Sequence, residues 1–173
     1  MNNSLGLKKF KTLLSVKLSL ISLYIALTYP MLFFTLDNLK ILSIIFFFIG
    51  LFIIFSITND YVLINDLSIT YKTSFISNLL GKKNREILWS DIVNINSFPT
   101  SQGSKVHYFI GSEGNSFLVP QRIEKFDDFK KIVMQKTNLK KNLGYISPLW
   151  TYKLLIFISC IIWSAEIFFI NIK

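Results

Sequence analysis

The sequence predicts an α+β membrane protein, with three transmembrane helices joined to one small antiparallel β domain that a single helix closes. Three observations predict it. The 173 residues are 51% hydrophobic, with a mean hydropathy of +0.47, more apolar material than a soluble domain of this size needs to fill its core. The excess is concentrated in three long runs. Between the second and third runs the pattern changes to short segments of β-branched and aromatic residues at period two, which is the signature of strands.

The first run, Leu18 to Leu36, LSLISLYIALTYPMLFFTL, carries no charge and at about 19 residues is long enough to cross a ~30 Å hydrocarbon core. Pro30 lies in its second half, where it removes a backbone hydrogen bond and kinks the helix. Ile41 to Thr58, ILSIIFFFIGLFIIFSIT, is a second uncharged run of about 18 residues. Only Asp37, Asn38, Leu39 and Lys40 separate the two, so they form an antiparallel helical hairpin. The third run, Leu149 to Ile170, opens with Trp150 and Tyr152 as interface anchors and with Lys153, whose long stem reaches the headgroups. Its one acid, Glu166, falls within a turn of the far end and reads as a solvated end position. Cys160, the single cysteine, reads as a small buried hydrophobe, and no disulfide or thiolate metal site is available.

The formal net charge is +9, and the positions of the cations give it meaning. Lys8, Lys9, Lys11 and Lys17 precede the first run, whereas the hairpin turn carries Lys40 alone, balanced by Asp37. The positive-inside rule therefore places the N-terminus in the cytoplasm, and the hairpin returns the chain to that side. The middle segment, with Lys82, Lys83, Arg85, Lys130, Lys131, Lys136, Lys140 and Lys141, agrees. The expected order is a basic cytoplasmic N-terminus (1–17), a transmembrane hairpin (18–58), a cytoplasmic β domain with its capping helix (59–138), a basic linker (139–148) and a third transmembrane helix with a short tail on the opposite side (149–173). A cleavable signal peptide is set aside, because the apolar run exceeds a usual h-region and no small-x-small site follows it.

Within the middle segment about six strands are expected. Tyr61 to Ile64 and Leu67 to Ser74 form a hairpin at Asn65-Asp66, a pair suited to a tight turn. Gly81 to Asn84 breaks the chain, Arg85 to Trp89 and Ile92 to Phe98 follow, and Pro99 to Gly103 is a polar loop. Val106 to Ile110 and Ser116 to Val119 make another hairpin through Gly111 to Gly114. After Pro120 the period changes to three and four: Phe126, Phe129, Ile132 and Val133 share a face, with Glu124, Asp127, Asp128, Lys130 and Lys131 opposite. Acids early and lysines late complement the helix dipole, so this is a terminated helix of about four turns.

The runs DYVLINDLSITYKTSF, EILWSDIVNI and HYFIGSEGNSFLVPQRIEKFDDFKKIV resemble the bacterial pleckstrin-homology (PH-like) domain of small membrane proteins, over roughly half the chain from Asp60 to Lys136. An I-x-W-x-D-I-x-x-I segment of that family is matched by Ile87, Trp89, Asp91, Ile92 and Ile95. The resemblance implies a PH-like antiparallel partial barrel capped by one C-terminal helix. Its matching positions are core and turn residues, so it speaks to fold rather than function. The two N-terminal spans ahead of a β-rich domain, and the basic segment GKKNREI, are similar to the photosystem I assembly factor of cyanobacteria and plastids. That family ends without a third span.

The inventory of reactive groups points away from an enzyme. His107, the only histidine, lies in KVHYFIG with no Cys, paired carboxylates or second His at ligand spacing, and reads as a strand-surface residue. Asp127 and Asp128 point about 100° apart on a helix among lysines. Gly111 to Gly114 lacks the lysine, hydroxyl and helix of a phosphate loop. No cofactor, metal or nucleic-acid partner is expected. Lys82, Lys83 and Arg85 form the densest cluster in the domain and are candidates for binding an anionic phospholipid or an acidic partner, while Lys136, Lys140, Lys141 and Lys153 are expected to orient the domain on the membrane surface. The expected function is a non-enzymatic scaffold or protein-interaction module at the membrane, offering a sheet edge or groove to another membrane or membrane-associated protein. The alternatives are a membrane-protection or bacteriocin-immunity protein, and a membrane-complex assembly factor.

Overall fold

A computed structural model of the chain describes residues 6–99, 105–139, 143 and 150–172. In chain order its elements are β1 (Lys8–Lys11), α1 (Leu14–Thr28), α2 (Met31–Phe34), α3 (Lys40–Ile57), β2 (Tyr61–Ile64), β3 (Ser68–Lys72), α4 (Phe75–Leu79), β4 (Arg85–Leu88), β5 (Ile92–Pro99), β6 (Lys105–Gly111), β7 (Ser116–Leu118), α5 (Phe126–Thr137) and α6 (Trp150–Ile172). They fall into two compact units. Asn59–Pro148 joins the N-terminal residues through Leu13, and Leu14–Thr58 joins Leu149–Lys173.

The first unit is α+β, with a four-stranded antiparallel sheet in the order β1-β2-β3-β4 and a three-stranded one in the order β5-β6-β7. All six expected strands are present, with bounds shifted by a residue or two. The largest shift is in β3, which ends at Lys72 and gives way to α4. There the Ser74 hydroxyl caps the helix by accepting from the Ser77 amide.

The unexpected strand is β1, which lies in the segment taken as a basic tail. Lys8 to Lys11 pair antiparallel with Ile64 to Tyr61. Alternation turns Phe10 inward, 5% exposed, where its ring meets that of Phe129 edge-on at 5.7 Å. The neighbouring lysines stay outside, as suits an edge strand. The outer edge is met where β1 ends: the Glu124 amide donates to the Lys11 carbonyl at 2.8 Å and the Leu13 amide to the Arg122 carbonyl at 3.0 Å. The helical segment α1 to α3 is thus an insertion between two neighbouring strands. Its ends are tied where the Thr12 hydroxyl donates to the Asp60 carbonyl at 2.9 Å across 48 positions.

At the other end of β2, Asn65 makes the expected turn, its side-chain oxygen accepting from the Leu67 and Ser68 amides at 2.8 and 2.6 Å. The Trp89 indole donates to the Asn65 carbonyl at 3.0 Å, and a 3-10 turn over Trp89–Asp91 passes the chain from β4 to β5. Phe126, Phe129, Ile132 and Val133 of α5 are buried as their spacing requires. They share a core with Phe10, Val62, Ile69, Ile87, Ile95 and Phe109.

In the second unit, Leu14–Phe34, Asp37–Ile57 and Trp150–Ile170 are long and apolar enough to cross a membrane. The first begins at Leu14 rather than Leu18, so Lys17 lies in the opening turn of α1, where its aliphatic stem is compatible with apolar surroundings. The kink expected at Pro30 is a break, with α1 ending at Thr28 and α2 restarting after Pro30. Buried positions include the small Ser19, Ala26 and Ser159, which let helices approach closely. Gly50 is required by Tyr24: a side chain there would run into the phenol, whose hydroxyl donates to the Phe47 carbonyl at 3.0 Å.

Phe10→Ala is predicted to destabilise the first unit by about 3–5 kcal/mol, the usual cost of truncating a buried phenylalanine. Hydrogen exchange should then accelerate together over β2 and α5. Unchanged protection would mean that β1 contributes nothing to the core.

Candidate functional site

Asp60 lies between α3 and β2 and is 4% exposed. Its Oδ1 accepts from the Ser74 amide at 2.8 Å, and its Oδ2 accepts from the Tyr71 hydroxyl at 3.1 Å and from Lys82 Nζ at 3.4 Å. Burial pushes the Tyr71 hydroxyl well above its ordinary pKa, and the adjacent Asp60 carboxylate pushes it the same way by charge and by hydrogen bonding. Tyr71 therefore remains a donor through the neutral range. The carboxylate fixes both ends of the β3–β4 connection to the point where the chain enters β2.

Of the basic cluster, Lys82 is half engaged: its ammonium pairs with Asp60 while its side chain stays 53% exposed. Lys83 is exposed in the loop, and Arg85 is exposed at the start of β4. Two parts of this surface differ in character. The connection carries α4, whose Phe75 and Leu79 are exposed together with Leu80, next to Lys82 and Lys83. Beyond it, Arg85, Glu86 and Leu88 line a cleft of about 550 Å³, whose other wall includes Glu113, Ser116 and Phe117.

That cleft is bounded by two sheet edges, β4 and β7. The Trp89 amide donates to the Leu67 carbonyl, which fixes the alternation: residues 87 and 89 bond to β3, while the amides of Glu86 and Leu88 point away from it. At the two ends of β7 the Val119 amide donates to the His107 carbonyl and the Gly111 amide of β6 to the Asn115 carbonyl. The same alternation turns the backbone of Ser116 and Leu118 outward.

Of the lysines expected to orient the domain on a membrane surface, two lie among the described residues, one in each unit. Lys136 pairs with Asp66 at 3.0 Å, at the β2–β3 turn, the opposite end of its sheet from Lys11 and Tyr61. Its charge is engaged within the unit. Lys153 is exposed on α6, and Lys140 and Lys141 lie outside the described residues, as does the loop expected beyond Pro99. His107 is not a surface residue: it is 2% exposed, shares the inward face of β6 with Phe109, and has its Nδ1 2.7 Å from Ser97 Oγ. Among the described residues no group of three or more His, Cys, Asp or Glu is placed to hold a metal.

Sequence reasoning missed Asp60, because its partners lie 11 to 22 positions away and a lone acid beside an apolar run carries no pattern. Asp60→Ala is predicted to release the β3–β4 connection. Amide exchange at Ser74 and across 75–84 should rise about tenfold or more, in keeping with loss of hydrogen bonds to a charged group, with β6 and β7 unchanged. Equal exchange in both proteins would deny Asp60 this role.

Comparison with known proteins gives a distant relative. The chain is 24% identical over 159 residues to an uncharacterized protein of the cyanobacterium Synechocystis sp., a match that spans 88% of this chain and 80% of the relative. No family model matches the sequence. No solved structure matches it.

Proposed function

We propose that the chain is a non-enzymatic integral membrane protein whose β domain binds a partner protein at the membrane surface, by taking an extended segment of that partner into the cleft between β4 and β7. The observation that carries this reading is the cleft itself, bounded by two strand edges with outward backbone groups. Strand addition uses such edges: main-chain hydrogen bonds give affinity and side-chain pockets give selectivity. Glu86, Asp91 and Glu113 outnumber Arg85 along the lining, so the partner segment is expected to carry basic residues.

On this reading the three apolar helices cross the bilayer. Their outward faces, with Ile41, Phe48, Phe52 and Phe55 each more than half exposed, meet acyl chains. The N-terminus and the β domain share the cytoplasmic side, because Lys8, Lys9, Lys11 and Lys17 precede the first span. The pairing of β1 with β2 agrees, since it requires the inserted segment to end on the side where it began. The C-terminus is then on the opposite side. The succession of antiparallel strands closed by α5 favours the PH-like partial barrel that the sequence resemblance implies.

Leu88→Pro tests the cleft. Leu88 has φ −75° and ψ 146°, which proline adopts without strain, and its amide bonds to no strand. The substitution should weaken capture of a partner by a photo-cross-linker at Ser116 in membrane extracts by about three- to tenfold, the worth of one hydrogen bond, with the circular dichroism unchanged. Equal capture by both proteins would place any partner elsewhere.

A further inference from the structure

We propose that the β3–β4 connection, α4 with the loop through Lys83, is a foot that dips its apolar side chains into the anionic leaflet beneath the domain. This rests on the reading that the three helices cross a bilayer. The sheet register locates the foot. β1 runs toward Lys11, after which the chain leaves for α1, and β2 starts at Tyr61, just after α3. Lys11 pairs with Tyr61, and Tyr61 with Lys72 at the end of β3, while Tyr71 pairs with Arg85 at the start of β4. The connection between β3 and β4 therefore emerges at the end of the sheet where the chain leaves for, and returns from, its membrane hairpin.

Asp60 holds the connection there, through the Ser74 amide and the Lys82 ammonium. A second link closes its base, with Asn84 Oδ1 accepting from the Thr73 amide at 2.8 Å and from the Thr73 hydroxyl at 3.1 Å. At the tip the composition is that of an interfacial anchor. Phe75, Leu79 and Leu80 are 79%, 74% and 65% exposed, too much apolar surface on one short excursion to leave in water without a use. Lys82 and Lys83 follow directly, and with Lys11 and Lys72 at the adjoining strand ends they make this end of the sheet cationic. Apolar side chains flanked by lysines match the acyl boundary and the phosphate plane of an anionic leaflet in turn. The hairpin at Gly111–Gly114 gives the contrast. It lies at the other end of the first sheet, where the Ser112 amide donates to the Asp91 carbonyl, and it carries Glu113 in place of lysines.

The test uses the full chain in lipid nanodiscs. A polarity-sensitive fluorophore is placed on Cys160, or on Leu79→Cys or Glu113→Cys with Cys160→Ser, and is quenched by lipids bearing a nitroxide near the glycerol end of the acyl chain or near its methyl end. With phosphatidylglycerol present, the label at 79 should be quenched by the shallow nitroxide and the label at 113 by neither. Lys83→Glu should lower the inserted population by about fivefold or more, as expected for reversing one juxtamembrane charge. Quenching at Cys160 without quenching at 79 overturns the foot and leaves the membrane reading intact. Absence of quenching at Cys160 overturns both. Equal quenching at 79 in phosphatidylcholine alone overturns the preference for an anionic leaflet.

Discussion

The pairing of β1 with β2 is the constraint on which the rest of the structure depends. It joins the four residues of β1 to a strand that begins only after the helical insertion, and makes the apolar helices α1 to α3 a connection between neighbouring strands instead of a separate appendage. Its energy comes from burying Phe10 against Phe129, from the ladder with β2, and from the bond that the Lys11 carbonyl accepts from Glu124 on the outer edge. Lys9 adds a contact, its ammonium 3.8 Å from the centre of the Tyr61 ring. A connection of this kind starts and finishes at one end of one sheet, so on the reading that its helices cross a bilayer the strand pairing and the lysines call alike for an even number of crossings.

Asp60 extends that constraint to the surface of the domain. Its backbone carbonyl receives the Thr12 hydroxyl, and its carboxylate receives groups from both sides of the β3–β4 connection. One buried acid thus ties together the exit of β1, the entry of β2 and the loop carrying α4. The burial is tolerable because the carboxylate is fully occupied by donors, one of them cationic. The end of the sheet from which the chain leaves for α1 and to which it returns from α3 is for this reason a built feature, and the cleft between β4 and β7 opens elsewhere on the same unit.

Much of the fold was legible in the sequence because its signals are local. Uncharged runs mark the apolar helices, period two marks β2 to β7, and the spacing of Phe126, Phe129, Ile132 and Val133 marks α5 and its buried face. What escaped was long-range or ambiguous. Three lysines around Phe10 carry the signal of topology, and only a partner strand some 50 positions on reveals the alternation. In KVHYFIG the more apolar phase is Val106, Tyr108 and Ile110, so period two alone turned His107 outward, whereas the structure buries the phase of His107, Phe109 and Gly111. Lys82 and Lys136 looked free because Asp60 and Asp66 lie 22 and 70 positions away. The basic loop was visible as a candidate, whereas its apolar half was not, since α4 is 5 residues long and shows no helical period.

The most direct measurement is a disulfide between β1 and β2. With Cys160 replaced by serine, cysteines at Lys9 and Leu63, which the register places opposite each other, should oxidise readily in the full chain in lipid nanodiscs, as directly paired positions do. Leu63 and Thr70, paired across β2 and β3, give the reference. Cross-linking of 9 to 63 at a rate comparable to 63 with 70 is the predicted result. Efficient cross-linking of the reference with none between 9 and 63 would contradict the account, leaving the hairpin an anchor beside the domain and not an insertion within it.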